Sequence, residues 1–203
     1  YSAKAIGPQI DRSLQRLKID YIDIIQLHSP AYNDVAYGDG LEGLKKAQEQ
    51  GKVRFISLSA DGDVARKAVE IGEYDTLQIT YNILQPESAD IIAAAREKEM
   101  GIIIKNPIAN AIYEKPRPTD SSGDLWDCGQ AILAPECVGD LSRVEVALRW
   151  LLHDLNVHTA IVGTTNIHHL EANVSFAESG DLGEEMLAEI GRRFEQALVE
   201  REK

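Results

Sequence analysis

Cysteine is scarce: Cys128 and Cys137 are the only two in 203 residues. That is too few for a disulfide scaffold and suits a reducing, cytoplasmic setting. Positive charge is scarce as well. Lys and Arg number 21 against 33 Asp and Glu, giving a formal charge of −12 and a pI near 4.8. A body so acidic repels phosphate backbones and anionic lipid, which sets aside nucleic acid and membrane as partners. No apolar run approaches the ~18 residues that span a bilayer. His, Cys and carboxylates form no cluster suited to a tetrahedral metal site, so no metal is expected. No apolar run leads directly into a G-x-G-x-x-G pattern, so the usual signature of a Rossmann sheet, a strand turning at once into that loop, is missing. The chain opens on Tyr1 without a signal peptide and reads as a cleaved or partial product.

What is present is an ordinary globular mixture, 44% hydrophobic and 27% charged, in a length that suits a single domain over residues 1–203. Short runs of strand formers bounded by turn signals lie at 21–27, 53–59, 76–82, 102–105 and 159–162. Their near-continuous apolar character predicts parallel strands covered on both faces. Helical periods lie between them. Ile6, Ile10, Leu14 and Leu17 share one face, as do Leu41, Leu44, Ala47 and Gln48; Val64, Ala65, Ala68 and Val69; Ile91, Ile92, Ala95 and Met100; and Val144, Ala147, Leu148, Leu151 and Leu152. Gly51, Gly72 and Gly101 are the expected helix stops, since glycine accepts the left-handed conformation without strain. A last amphipathic helix over about 181–203 carries Leu182, Met186, Ile190, Phe194 and Leu198.

The strand starts are spaced by about 32, 23, 25 and 57 residues, against roughly 30 for one βα unit. The excess sits in an insertion at about 110–142, which is either an active-site loop or a floppy surface segment. Repeated βα units without the Rossmann pattern predict an α/β fold of the (β/α)8 TIM-barrel type. A full barrel needs about 250 residues, so this one is incomplete, with about five of its eight units.

In such barrels chemistry gathers at the carboxyl ends of the strands. The five runs end at His28, at Ser59, at Tyr81-Asn82 (with Gln78 inside the run), at Lys105-Asn106 and at Gly163-Thr164-Thr165. His28 is either a proton donor and acceptor near neutral pH or a structural histidine. His153 and His158 read as structural or exposed. His168 and His169 fall in the first turn of a helix that Asn166 caps, and as neighbours they point apart. Small residues ahead of that helix let backbone N–H groups approach a phosphate. Cys128 and Cys137 are expected to be free.

Read in order, Asp20-Tyr21-Ile22-Asp23-Ile24-Ile25-Gln26-Leu27-His28, Gly51-Lys52-Val53-Arg54-Phe55-Ile56-Ser57-Leu58-Ser59, Gln78-Ile79-Thr80-Tyr81-Asn82, Gly101-Ile102-Ile103-Ile104-Lys105-Asn106-Pro107, Ala147-Leu148-Arg149-Trp150-Leu151-Leu152 and Ile161-Val162-Gly163-Thr164-Thr165-Asn166 resemble the aldo-keto reductases. The resemblance implies an (α/β)8 barrel that reduces an aldehyde or ketone by hydride transfer from NADPH, less often NADH. It implies that His28 orients the substrate carbonyl. It implies that Ser59 and Gln78 hold the nicotinamide carboxamide, that Lys105, Asn106 and Ile108 lie along the coenzyme, that Gly163, Thr164 and Thr165 take the adenosine phosphate, and that His169 and Asn173 contact the adenine end. The family's catalytic Tyr, Lys and Asp are expected on strands ahead of His28, outside these 203 residues, with Tyr1 no substitute.

Three departures bear on detail. Ala60 replaces an asparagine that usually follows the serine, Lys105 stands where many members stack a tyrosine on the nicotinamide ring, and His169 stands where NADPH-preferring members often carry arginine. The expected coenzyme is NADP(H) ahead of NAD(H). Two other readings come from different classes: a non-catalytic barrel fragment that associates with an N-terminal piece or with itself through open edges, and a small-molecule-binding barrel without redox chemistry.

Overall fold

A computed structural model describes residues 1–201, and of Leu198, Glu200 and Arg201 only the backbone is described. Along the chain, five strands alternate with helices, in keeping with the α/β barrel-type reading. The chain divides into two compact units. The first comprises Tyr1–Thr80 and Ser88–Ile104, and the second Tyr81–Glu87 and the chain from Lys105 onward.

In the first unit the order is α1 (Ala3–Leu17), β1 (Ile22–His28), α2 (Tyr32–Ala36), α3 (Gly40–Glu49), β2 (Val53–Ser59), α4 (Gly62–Ile71), β3 (Thr76–Thr80), α5 (Ala89–Glu97) and β4 (Gly101–Lys105). The sheet runs β1-β2-β3-β4. Strands β1 and β2 pair in parallel with Leu27 opposite Leu58, and β2 and β3 pair in parallel with Leu58 opposite Leu77. That row is buried, and each such side chain contributes about 1.5–3 kcal/mol through burial. Helices α3 and α4 lie against β2, presenting Leu44, Ala47, Ala65 and Ala68 as buried positions. Close approach of α1 to α3 requires glycine at 43, where a Cβ would stand 2.8 Å from the Ala3 Cα.

Several expectations are corrected. Leu17 is 60% exposed although its period placed it on the buried face of α1; Ile6 and Ile10 alone are buried there, because the helix ends at Leu17 and Lys18 turns left-handed. The helix expected to run to Met100 stops at Glu97, and Gly101 is the first strand residue of β4. Glu99, with φ 59, takes the left-handed turn that glycine was expected to take. Gly72 does close α4 in that conformation, at φ 68.

In the second unit a 3-10 segment (Ala109–Glu114) precedes α6 (Gly123–Ile132), α7 (Pro135–Val138), α8 (Arg143–His153), β5 (Thr159–Ala160), α9 (Ile167–Glu178) and α10 (Glu184–Arg201). The insertion at 110–142 is therefore not a floppy segment. Tyr113, Ile132, Leu133 and Val138 are buried in one core with Val146, Ala147 and Ile190. Leu182, Met186 and Phe194 pack against that core. Leu198, expected on the same face, has its side chain outside the described residues. Leu152 is exposed rather than on the buried face of α8. Strand β3 ends at Thr80, two residues short of the expected end, because the Asn82 side chain accepts from the Leu84 N–H at 3.0 Å and bends the chain. Strand β5 is likewise confined to Thr159–Ala160, without Ile161 and Val162. Cys128 and Cys137 are buried and not joined in a disulfide.

Candidate functional site

Pairing register decides what the first unit presents. His28 stands opposite Ser59, and Ser59 opposite Gln78. Register partners in parallel strands project to the same side, so these three form one row at the carboxyl ends of β1, β2 and β3. One step toward the strand starts, Gln26, Ser57 and Thr76 form a second row on that face. Below it lie Ile24 and Phe55, each 42% exposed. Polarity thus rises along this face toward the strand ends.

Within the row the environments differ. His28 is exposed, with Nδ1 at 3.3 Å from the Ser29 hydroxyl. The Tyr1 hydroxyl donates to the His28 carbonyl at 2.6 Å. Ser59 is fully buried, and its hydroxyl has no hydrogen-bond partner among the described residues. Leaving such a group unmet costs about 1–3 kcal/mol. Gln78 is 9% exposed, and its side-chain oxygen accepts from Gln26 Nε2 at 3.2 Å. The row therefore offers an imidazole, an unmet hydroxyl and a tethered amide, a set suited to a planar group carrying both an amide donor and a carbonyl acceptor.

The second unit contains an open cleft of about 850 Å3. Asn106, Ile108, Gly163, Thr164, His169 and Asn173 all line it. Lys105 and Thr165 are not among its lining residues. Thr165 is exposed, and Lys105 is half-buried at the end of β4. The rim from Asn106 onward is unusual in its backbone. Asn106, Ala109, Asn110 and Ala111 have φ of 57, 48, 53 and 48 respectively. Alanine pays a steric penalty in that region, and such strain concentrates at ligand sites. At the start of α9 Asn166 caps the helix, its side chain accepting from the His168 N–H at 3.0 Å, and Thr164 Oγ1 accepts from the Asn166 N–H at 3.1 Å. A helix start of this kind, with Gly163 before it, favours an anion. The charged side chains lining the cleft are Glu114 and Lys115, and the His169 imidazole lines it as well.

Sequence reasoning missed several of these residues. Gln26 read only as part of an apolar run; the register sets it opposite Ser57, and its side chain reaches across to Gln78. Asn82 read as a strand end, yet it is fully buried and donates to the Asn106 carbonyl at 3.0 Å. Glu114, Lys115 and Phe176 line the cleft from segments that carried no motif. No group of three or more His, Cys, Asp or Glu side chains among the described residues could hold a metal. No helix among them is long and apolar enough to cross a membrane.

Comparison with known proteins agrees with this architecture. L-galactose dehydrogenase of Arabidopsis thaliana is 24% identical over 94% of this chain and 64% of its own length. The chain thus spans less than two thirds of that relative. An apo aldo-keto reductase of Bacillus halodurans superposes with a TM-score of 0.80 at 22% identity, over 95% of this chain and 69% of that one. An aldo-keto reductase of Klebsiella pneumoniae solved with NADPH superposes with a TM-score of 0.72 at 18% identity, over 94% of this chain and 65% of that one. These likenesses establish the fold. The model describing the aldo/keto reductase family matches residues 1–192, and with so much of the chain matched, the protein belongs to the aldo-keto reductase family.

Proposed function

We propose that the chain carries the coenzyme-binding and carbonyl-orienting residues of an NAD(P)H-dependent reductase of aldehydes or ketones in a cytoplasmic setting, with NADP(H) ahead of NAD(H) as coenzyme. The observation that carries this reading is the cleft of the second unit, which gathers Asn106, Ile108, Gly163, Thr164, His169 and Asn173. The start of α9, with Gly163 and Thr164 ahead of its cap, suits a phosphate. Lys115 adds a positive charge and His169 a ring nitrogen to the same cleft, groups that suit a 2′-phosphate. The Klebsiella pneumoniae neighbour, solved with NADPH, supports the same coenzyme class.

The family resemblance assigns the row of the first unit to the nicotinamide end. The unmet Ser59 hydroxyl and the tethered Gln78 amide fit a carboxamide. A bound reduced nicotinamide supplies a hydride to the substrate's carbonyl carbon. His28 donates a hydrogen bond to the carbonyl oxygen as charge develops there, stabilising the transition state more than the ground state. The alkoxide takes its proton from the tyrosine that the resemblance places ahead of β1.

Titration with NADPH, followed through nicotinamide fluorescence, tests the reading. Saturable binding that weakens about tenfold or more on Thr164→Trp is expected, because the added ring fills the cleft. A flat titration overturns it and favours a binding barrel without redox chemistry.

A second reading is favoured by one specific observation. β1 is the edge of the sheet in its unit, and Ile24 and Phe55 are exposed beside it. Free edges with apolar neighbours pair with other chains. Association through β1 predicts elution above 22.4 kDa in size-exclusion chromatography, reverting toward the monomer on Ile24→Lys.

A further inference from the structure

We infer that Gln26 is a positioning residue for the coenzyme's carboxamide, acting through Gln78. The inference deepens the reading above and rests on it. Gln78 is almost wholly buried on the face that also carries Ser59 and His28. A glutamine amide can present either its oxygen or its NH2 group, and a half turn exchanges them. Donation from Gln26 Nε2 to Gln78 Oε1 at 3.2 Å engages the oxygen. The NH2 group of Gln78 is then left to donate.

The neighbours make that choice matter. Ser59 offers a hydroxyl with no partner, and Ala60, which follows it, has no polar side chain. Among Ser59, Ala60 and Gln78, only Gln78 carries a side-chain N–H donor for a carbonyl oxygen. Gln26 sits one row behind, opposite Ser57, where it reaches Gln78 without occupying the front row. The tether thus selects an amide orientation complementary to the carbonyl of a nicotinamide carboxamide, and spares the coenzyme the ordering of a free side chain.

Two substitutions separate this role from a merely structural one. In Gln26→Glu the introduced carboxylate only accepts, so it draws the NH2 group of Gln78 to itself and turns the oxygen forward. In Gln26→Met the length is kept and the tether is lost. Calorimetry with NADPH and with 2′-phospho-ADP-ribose, which lacks the nicotinamide, reads the difference. NADPH affinity is expected to fall about tenfold for Gln26→Glu and about threefold for Gln26→Met, with fragment affinity unchanged. Circular dichroism verifies that both variants fold.

An NADPH-to-fragment ratio equal to that of the unaltered chain in both variants overturns the positioning role. So does an unaltered chain that binds NADPH no better than the fragment, which leaves the phosphate cleft standing. An unaltered chain that binds neither overturns the reading of the site, and this inference with it.

Discussion

Asn82 holds Asn106 in place: its side-chain amide donates to the Asn106 carbonyl at 3.0 Å, while its own oxygen accepts from the Leu84 N–H at 3.0 Å. Asn82 is fully buried, and Asn106 is the left-handed residue, at φ 57, that begins the rim of the cleft. A side chain that anchors two main-chain groups in a dry setting makes that setting expensive to disturb. Replacing Asn82 by Leu leaves both groups unmet. The expected loss is about 2–4 kcal/mol of stability together with weaker NADPH binding. Urea denaturation reads the first, and a loss under about 0.5 kcal/mol would show that the anchor is dispensable.

His28 is exposed at the end of β1 and is given no role in holding the coenzyme. On the proposed reaction, His28→Ala is expected to cut turnover by about 100-fold or more and to leave NADPH affinity within about twofold. Stopped-flow reduction of a test aldehyde at the unaltered rate contradicts the assignment.

His169 supplies the cleft with an imidazole in place of a guanidinium. His169→Arg adds a permanent charge with fork geometry suited to a 2′-phosphate. NADPH affinity is expected to rise about tenfold while NADH affinity stays level, as judged by paired fluorescence titrations. An equal change for both coenzymes removes His169 from 2′-phosphate recognition.

Alkaline stability follows from Tyr81, whose phenol is pushed up to about 12, chiefly by burial and then by the neighbouring Asp154 carboxylate. In the unfolded chain the same group titrates near 10. Between these values the unfolded state gives up its proton and the folded state keeps it, so unfolding is favoured as pH rises. Stability is therefore whole below about pH 10 and declines toward pH 12. Tyr81→Phe keeps the ring against Trp150, whose centroid lies 5.5 Å away, and should flatten that decline. An alkaline melting profile unchanged by the substitution refutes it.

Helix packing in the first unit offers a steric test. A Cβ on Gly43 would meet the Ala3 Cα at 2.8 Å, and backbone cannot swing aside as a side chain tip can. Gly43→Ala is expected to cost about 1–3 kcal/mol, more than the gain in helix propensity of about 1 kcal/mol returns. A variant that melts higher than its parent excludes this contact as a constraint.

Much of this was legible in the residues, for identifiable reasons. The apolar runs around Leu27, Leu58 and Leu77 are strands whose side chains are buried in one row, and short, near-continuous runs of strand formers bounded by turn signals announce such strands. Asn166 and the residues before it announced the start of α9 because capping is a local interaction. The tether between Gln26 and Gln78 was not legible. It spans 52 positions of sequence and exists only once three strands are in register. The early end of β3 was hidden for another reason: Asn82 is as compatible with a strand terminus as with a turn until its side chain is seen to bond Leu84. Glu99 in a left-handed turn defeated the expectation that glycine would serve, since the close contact of Gly101 with Thr76, 3.0 Å from a Cβ to Thr76 Cγ2, places the smaller residue in the strand.

The rim carrying Ala109 and Ala111 at φ 48 has a bearing on protein engineering. Mutagenic libraries across 106–111 will be filtered first by torsion and only afterwards by chemistry. At 106, 109, 110 and 111, the left-handed positions, glycine, asparagine and aspartate should dominate the folded survivors, while valine, isoleucine and threonine drop out before any substrate is offered. Retuning this edge of the cleft is therefore better begun from the neighbouring side chains of α9, where a regular helix tolerates a wider alphabet.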